Sequence, residues 1–196
     1  MSIDPVNTYN LTVYTTPLTE RKGLNLVPGK NNIINVDAPQ GYLSVEFQGQ
    51  SPNETMLQKI AVLVRKQADD LPLCVIPYAN NQKLLCGNYN LEILTIPRTY
   101  ITNVNIAESK TTTIKLPMPG VVSLQKNTTG YGSIFVADGN GIKKVYDLQS
   151  NTTIENVALQ PGNYKVIYRA ANNQHIVGSE EQNFTIVTGQ YVNIHL

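Results

Sequence analysis

Residues 84–94 read LLCGNYNLEIL and residues 159–168 read LQPGNYKVIY. Each stretch writes Gly-Asn-Tyr and then alternates apolar with polar residues, the period of a strand with one face in a core. Gly87 with Cys86, and Gly162 with Pro161, make a turn, and Tyr89 and Tyr164 open the next strand as core aromatics whose polar tips lie near the surface.

The same pattern is written elsewhere at a fixed offset. Tyr9-Asn10-Leu11-x-Val13-x-Thr15-x-Pro17 matches Tyr89-Asn90-Leu91-x-Ile93-x-Thr95-x-Pro97, eighty positions later. Leu26-x-x-Gly29-Lys30, with Ile34 and Val36 beyond it, matches Ile106-x-x-Ser109-Lys110 with Ile114 and Leu116. It matches again Ile186-x-x-Gly189-Gln190 with Ile194 and Leu196. A repeat of this kind sets the domain organisation. Since the last copy closes at Leu196, the middle copy closes a first module near Leu116, and Pro117-Met118-Pro119-Gly120 reads as a short stiff linker. Residues 1–116 form module one and residues 117–196 module two. The first copy, residues 9–36, is a half-unit: it either closes a domain absent from this chain or packs as extra strands on module one. The second reading is favoured, because orphaned strand edges invite aggregation.

Period-two patterning predicts strands over 9–15, 31–36, 42–48, 59–65, 73–77, 89–95 and, with a break, 101–116. In module two it predicts 121–126, 132–137, 142–147, 153–158, 163–169, 182–187 and 190–196. Residues 56–65 come nearest to a helix, but the Ile60–Val64 core reads as strand. Asp138-Gly139-Asn140-Gly141 between two alternating runs is a hairpin signal. Many short strands with turn signals between them give an all-β fold of two tandem Ig-like or prealbumin-like β-sandwich domains.

The composition agrees. It leans on Asn, Thr, Val and Ile, with 11 Tyr, 13 Gly, 11 Pro, no Trp and 15% charged residues in 196. Fifteen basic and 14 acidic residues leave a net charge of +1, which gives no electrostatic footprint for nucleic acid or an anionic membrane. Lys143-Lys144 and Arg21-Lys22 are too small to act as nucleic-acid patches. No apolar run is long enough to span a bilayer, and the opening MSIDPVNTYN lacks the regions of a signal peptide.

The turn-and-strand motif L-x-P-G-x-Y, followed by I-x-x-G-x-x-x-x-I-x-L, is similar to the end of prealbumin-like, carboxypeptidase-regulatory-like modules. More narrowly, residues 4–10 (DPVNTYN), 37–41 (DAPQG) and 89–98 (YNLEILTIPR) resemble the region after the von Willebrand factor A domain in bacterial proteins of the calcium-activated-chloride-channel-like group. The likeness covers most of the chain and rests on structural motifs. It implies an exported, periplasmic or cell-surface location and an accessory or spacer role beside an A-type head. The A-domain metal signature Asp-x-Ser-x-Ser has no match here, so metal-dependent adhesion is not implied.

Cys74 and Cys86 flank residues 78–81, so a hairpin there sets them opposite one another. In an exported protein that gives a disulfide, and otherwise two buried thiols. Neither has the neighbours of a zinc site. His175 and His195 have no cysteine beside them for a nucleophilic pair. Asp69-Asp70, Asp138 and Asp147 have the chemistry of calcium ligands but fit no recognised loop. Tyr78, Tyr100 and Tyr131 are the candidates for a ligand platform, against the commoner role of strand tyrosines as core or rim. Asn-x-Ser/Thr occurs at Asn10, Asn53, Asn127, Asn151 and Asn183, and in a bacterium reads as strand and turn composition. No catalytic, cofactor-binding or metal residue is predicted. The expectation is a non-enzymatic spacer or protein-interaction module of a larger VWA-type protein, partnered by the A-type domain or another cell-envelope protein. The rival is a module that binds glycan or peptide through aromatic or edge-strand contacts.

Overall fold

The computed structural model describes residues 4, 6–49, 57, 59–67, 69–77, 79–139, 141–171 and 178–196. It is built of strands. After the hairpin β1 (Thr8–Val13) and β2 (Thr19–Asn25) come β3 (Gln40–Gln48), β4 (Ala61–Lys66), β5 (Cys74–Pro77), β6 (Gln82–Leu85), β7 (Gly87–Ile93), β8 (Thr99–Ile106) and β9 (Thr111–Pro117). Then follow β10 (Gly120–Gln125), β11 (Gly130–Asp138), β12 (Gly141–Asp147), β13 (Ile154–Leu159), β14 (Gly162–Ala170), β15 (Ser179–Ile186) and β16 (Tyr191–His195).

These strands make two sandwiches of one topology. The first has sheets ordered β6-β3-β9 and β5-β4-β7-β8, and the second has β13-β10-β16 and β12-β11-β14-β15. In both, the closing strand lies parallel to the opening strand (β9 on β3, β16 on β10) and every other pair is antiparallel. Each sandwich closes over its own apolar cluster. The first is centred on Leu43, Val64, Leu84 and Ile93, the second on Val122, Leu124, Ile134 and Val166. Alternation drives this, because successive residues of a strand face opposite ways. In β14, Tyr164, Val166 and Tyr168 are buried while the residues between them are not.

The two Gly-Asn-Tyr stretches are tyrosine corners. The Tyr89 hydroxyl donates to Leu85 O at 2.8 Å, and Tyr164 donates to Gln160 O at 2.7 Å, each four residues upstream. Both rings are buried, so the polar tips expected near the surface are instead satisfied by backbone carbonyls. A buried hydroxyl needs such a partner.

Glycine is demanded where each sandwich opens. A Cβ on Gly120 would stand 2.6 Å from Val187 O and 2.9 Å from Gln190 O, and one on Gly41 would collide with Ala107 O. The turns 107–110 and 187–190 therefore lie flat against Gly41 and Gly120 at the start of the opening strands. They are held by Tyr42 N donating to Lys110 O and Val121 N donating to Gln190 O, both at 2.8 Å.

Several elements differ from expectation. β2 and β6 are strands that period-two patterning misses, because TERKGLN and QKLL scarcely alternate. Residues 31–36, expected as a strand, are not one. The hairpin β1–β2 adds no strand to either sheet of the first sandwich and pairs only with itself. Cys74 and Cys86 do not flank a hairpin, because β5 and β6 belong to different sheets and do not pair with each other. The expected linker is also folded in. Pro117 pairs with Gln48, Met118 N donates to Gln48 O at 3.2 Å, and the Met118 side chain is buried in the first cluster.

Candidate functional site

The hairpin β7–β8 carries the turn Leu94-Thr95-Ile96-Pro97-Arg98 out of the first sandwich and onto the second. Thr95 is buried, and its hydroxyl lies 2.7 Å from Pro97 O and 2.9 Å from the Thr99 hydroxyl, which braces the turn from inside. Ile96 at its tip is half-buried against the apolar cluster of the second sandwich, and Ile96 O accepts a hydrogen bond from Gln160 N at 2.7 Å. The receiving residue sits two places before the glycine of the second tyrosine corner. One corner thus satisfies a core hydroxyl on one side and receives the neighbouring module on the other.

The hairpin β1–β2 repeats this arrangement. The Thr15 hydroxyl lies 2.6 Å from Pro17 O and 2.9 Å from the Thr19 hydroxyl, and Thr16 O accepts from Leu85 N at 2.8 Å. Leu85 stands two places before Gly87, as Gln160 does before Gly162. Nothing in an isolated turn announces a docking contact. The available signal was Ile96, an apolar residue at a turn tip.

Polar groups surround the junction. Glu92 is buried and bound by Arg98 and by Arg65, the latter at 2.7 Å, with the Tyr100 hydroxyl at 3.4 Å. The hydrogen bond from Arg98, and after it Arg65, holds the Glu92 carboxyl below its ordinary range against the opposing effect of burial. Tyr100 is 65% exposed. With Arg98, Lys143 and Lys144 it lines an open hollow of about 440 Å³ where the two sandwiches approach. A second hollow, of about 340 Å³, shares Leu94 and Ile96 with the first and is lined also by Lys59, Tyr146, Ile154 and Glu155.

Glu155 forms the second saturated carboxylate. It accepts from Tyr146 at 2.8 Å and from Gln149 N at 3.0 Å, and pairs with Lys126 Nζ at 3.4 Å. Burial, and then the bond to Glu155, push the Tyr146 hydroxyl up to about 12.

The remaining candidates are scattered. Tyr131 lines a different hollow from Tyr100, beside Phe135 and Arg169, and Tyr78 and His175 lie outside the described residues. Cys74 and Cys86 are free thiols. Burial raises the Cys74 thiol, and it raises the Tyr89 hydroxyl too, to which both cysteines add. Asp147 is held by Ser133 at 2.6 Å and Lys144 at 3.0 Å. Asp138 pairs with Gly141 to close the expected hairpin. His195 lends its backbone oxygen to Gln182. Among the described residues no three His, Cys, Asp or Glu side chains converge as a metal site, and no helix is long and apolar enough to cross a membrane.

No family model matches the chain, and no curated protein matches it. Among solved structures it is similar to the Bacillus anthracis TIE protein, at 12% identity and a TM-score of 0.33 over 81% of this chain and 33% of that one. It is similar to GBS52, the minor pilin of Streptococcus agalactiae, at 12% identity and a TM-score of 0.31 over 80% of this chain and 94% of that one. It is also similar to a streptococcal ancillary pilin, at 11% identity and a TM-score of 0.32 over 91% of this chain and 69% of that one. The chain spans about a third of the length of the first of these.

Proposed function

We propose that this chain is a non-enzymatic spacer and protein-interaction module, residues 1–116 and 117–196 forming its two units, within a larger exported protein of VWA type. The observation that carries the reading is the repeated junction: a braced turn whose tip carbonyl binds the backbone N–H before the next tyrosine corner, once at Thr16–Leu85 and once at Ile96–Gln160. The Ile96–Gln160 joint ties residues 1–116 to residues 117–196 and holds the two units at one orientation, as a spacer for a binding head requires, and Thr16–Leu85 makes the same contact within the first unit. The two buried carboxylates support the non-enzymatic reading, since Glu92 and Glu155 are each saturated by arginine, lysine, tyrosine or backbone donors. The A-type partner and the cell-envelope location rest on the resemblance of residues 4–10, 37–41 and 89–98.

Residual dipolar couplings test the spacer reading. One alignment tensor shared by strands β3–β9 and β10–β16 is expected, and two independent tensors would remove it. A second reading, glycan or peptide recognition, is favoured by one feature: the exposed Tyr100 beside Lys143 and Lys144. Titration with envelope glycans and acidic peptides, repeated with Tyr100→Ala, decides for or against that reading.

A further inference from the structure

The chain carries a net charge of only +1, yet the 440 Å³ hollow between the sandwiches collects cations. Arg98, Lys143 and Lys144 line it, and no acidic residue does. Arg98 shares Glu92 with Arg65, and Lys144 pairs with Asp147 at 3.0 Å. Lys143 is exposed, and no carboxylate among the described residues pairs with it. With the groups they contact, four cationic side chains thus meet two carboxylates here, an excess of two positive charges. The neighbouring hollow differs, since Lys59 and Glu155 both line it.

Tyr100 adds a flat apolar surface to this charge. Its hydroxyl lies 3.4 Å from the buried carboxylate of Glu92, while most of the residue is exposed. The polar end is therefore taken from inside, and what meets solvent is ring. An aromatic face of this kind stacks on the C–H face of a sugar ring, whose hydrogens sit against the negative face of the π system.

An extended acidic peptide is the other ligand to weigh, because β8 and β12, which frame the hollow, are both outer strands of their sheets. Neither edge suits strand addition. β12 is bulged: Ile134 pairs with Tyr146 and Phe135 with Lys144, which leaves Val145 over. Lys143, Lys144 and Val145 consequently line the hollow in succession, where a regular strand would turn alternate side chains away. β8 is irregular as well. Its register with β7 shifts between Tyr89 and Leu91, as that of β2 with β1 shifts between Tyr9 and Leu11, and Asn103 at the shift has a φ of 60°. Bulges and lysines on an outer strand keep other strands from pairing with it. A ligand here is held by side chains and not by a main-chain ladder.

We infer that this hollow binds an acidic oligosaccharide, a run of uronate sugars, with one ring stacked on Tyr100 and the carboxylates of successive sugars on Lys143 and Arg98. The inference rests on the second reading above and narrows it from glycan or peptide to one class of glycan. Two excess positive charges match two carboxylates, and a uronate chain carries one on each ring, so no ligand charge is left unpaired. The volume falls within the range of small-ligand sites, about 300–1,000 Å³. Both sandwiches build the site, the first with Arg98 and Tyr100 and the second with Lys143 and Lys144.

Isothermal titration calorimetry of the full chain with a galacturonate tetrasaccharide should show saturable binding that weakens as salt is added, because the ion pairs are exposed. The methyl-esterified tetrasaccharide, with the same rings and no charge, should bind at least about tenfold more weakly. Tyr100→Phe should keep the affinity and Tyr100→Ala should lower it about tenfold, since the ring face and not the hydroxyl makes the contact. Lys143→Gln should lower it about three- to fivefold. Lys115→Gln removes the same charge from an exposed position of β9, in the other sheet of the first sandwich, and should change nothing. Absence of saturable binding would overturn the inference, and so would equal losses in Lys143→Gln and Lys115→Gln. Equal binding of the methyl ester would overturn the acidic assignment while glycan recognition stands. A tetraglutamate peptide that binds as tightly as the tetrasaccharide, with the same dependence on Tyr100 and Lys143, would overturn the choice of glycan over peptide.

Discussion

Removing the ammonium of Lys126 should cripple the second sandwich and leave the first intact. The Lys126 side chain is 0% exposed and that of Glu155 is 4% exposed. Lys126 Nζ reaches Gln149 O at 2.7 Å, Thr152 Oγ1 at 3.5 Å and Glu155 Oε2 at 3.4 Å. Lys126→Met takes away the counter-charge while Glu155 stays buried, a change that costs about 3–5 kcal/mol. A module of this size loses about 4–8 °C of Tm per kcal/mol, so its transition should fall by at least about 12 °C. Because the two apolar clusters are separate, differential scanning calorimetry should show one transition moving and one staying. The triple variant Lys126→Met, Glu155→Leu, Tyr146→Phe removes the polar network together. It should recover most of the loss, since apolar groups of similar size often replace a buried pair at little cost. A Lys126→Met protein melting within about 3 °C of the parent would refute the reasoning, because the charge would then be hydrated. A triple variant no better than the single would refute it as well.

Gly120→Ala places a Cβ 2.6 Å from Val187 O and should cost about 1–3 kcal/mol as the turn is forced away, measured by chemical denaturation. Gln160→Leu should stabilise by about 1 kcal/mol, because Gln160 Nε2 is buried without a partner and the equivalent Leu85 serves the other junction. Burial pushes the Tyr164 hydroxyl up to about 12 from 10.0, so the folded state keeps a proton that the unfolded chain releases. Stability from this group is whole below pH 10 and lost between pH 10 and 12, and Tyr164→Phe should flatten that slope while costing about 1 kcal/mol at neutral pH. Glu92 runs the other way. Its carboxyl is held below 4.5 by Arg98 and Arg65, so its contribution is present above that value and lost as pH falls, and Glu92→Gln should flatten the acid limb of the stability curve.

The repeat was legible in sequence because residues eighty apart play the same local roles, with Asn10 and Asn90 at the shift, Thr15 and Thr95 inside the turn, and Gly29 and Ser109 at the left-handed position. The hairpin at 138–141 was legible for the same reason, since turn chemistry is local. What the sequence hid depends on partners. β2 carries Leu24 as its one large apolar residue and is a strand because β1 pairs with it. Residues 31–36 have the apolar spacing of β9 and β16 and are not a strand, because periodicity specifies a face but cannot supply a neighbour. The symmetric flanks of residues 78–81 looked like a hairpin, and only the sheet assignment shows that β5 and β6 do not pair with each other. The Lys126–Glu155 pair joins residues 29 apart with no local pattern to announce it.

The orientation of the two sandwiches does not depend on proline stiffness in the link. A covalent link alone, even a short one, leaves rotation about its own axis. Here Pro117 and Met118 are bound into the first sandwich and Val121 N into the second, and Pro119 between them is buried. The second attachment, Ile96 on Gln160, comes from a different hairpin of the first sandwich and fixes the remaining rotation. A two-point joint predicts a specific asymmetry. Ile96→Gly keeps the link and loses the apolar tip, so each sandwich should retain its melting transition while the shared alignment tensor splits in two. If the couplings instead still fit one tensor in Ile96→Gly, the buried link alone sets the angle, and the turn at 94–98 is a passenger.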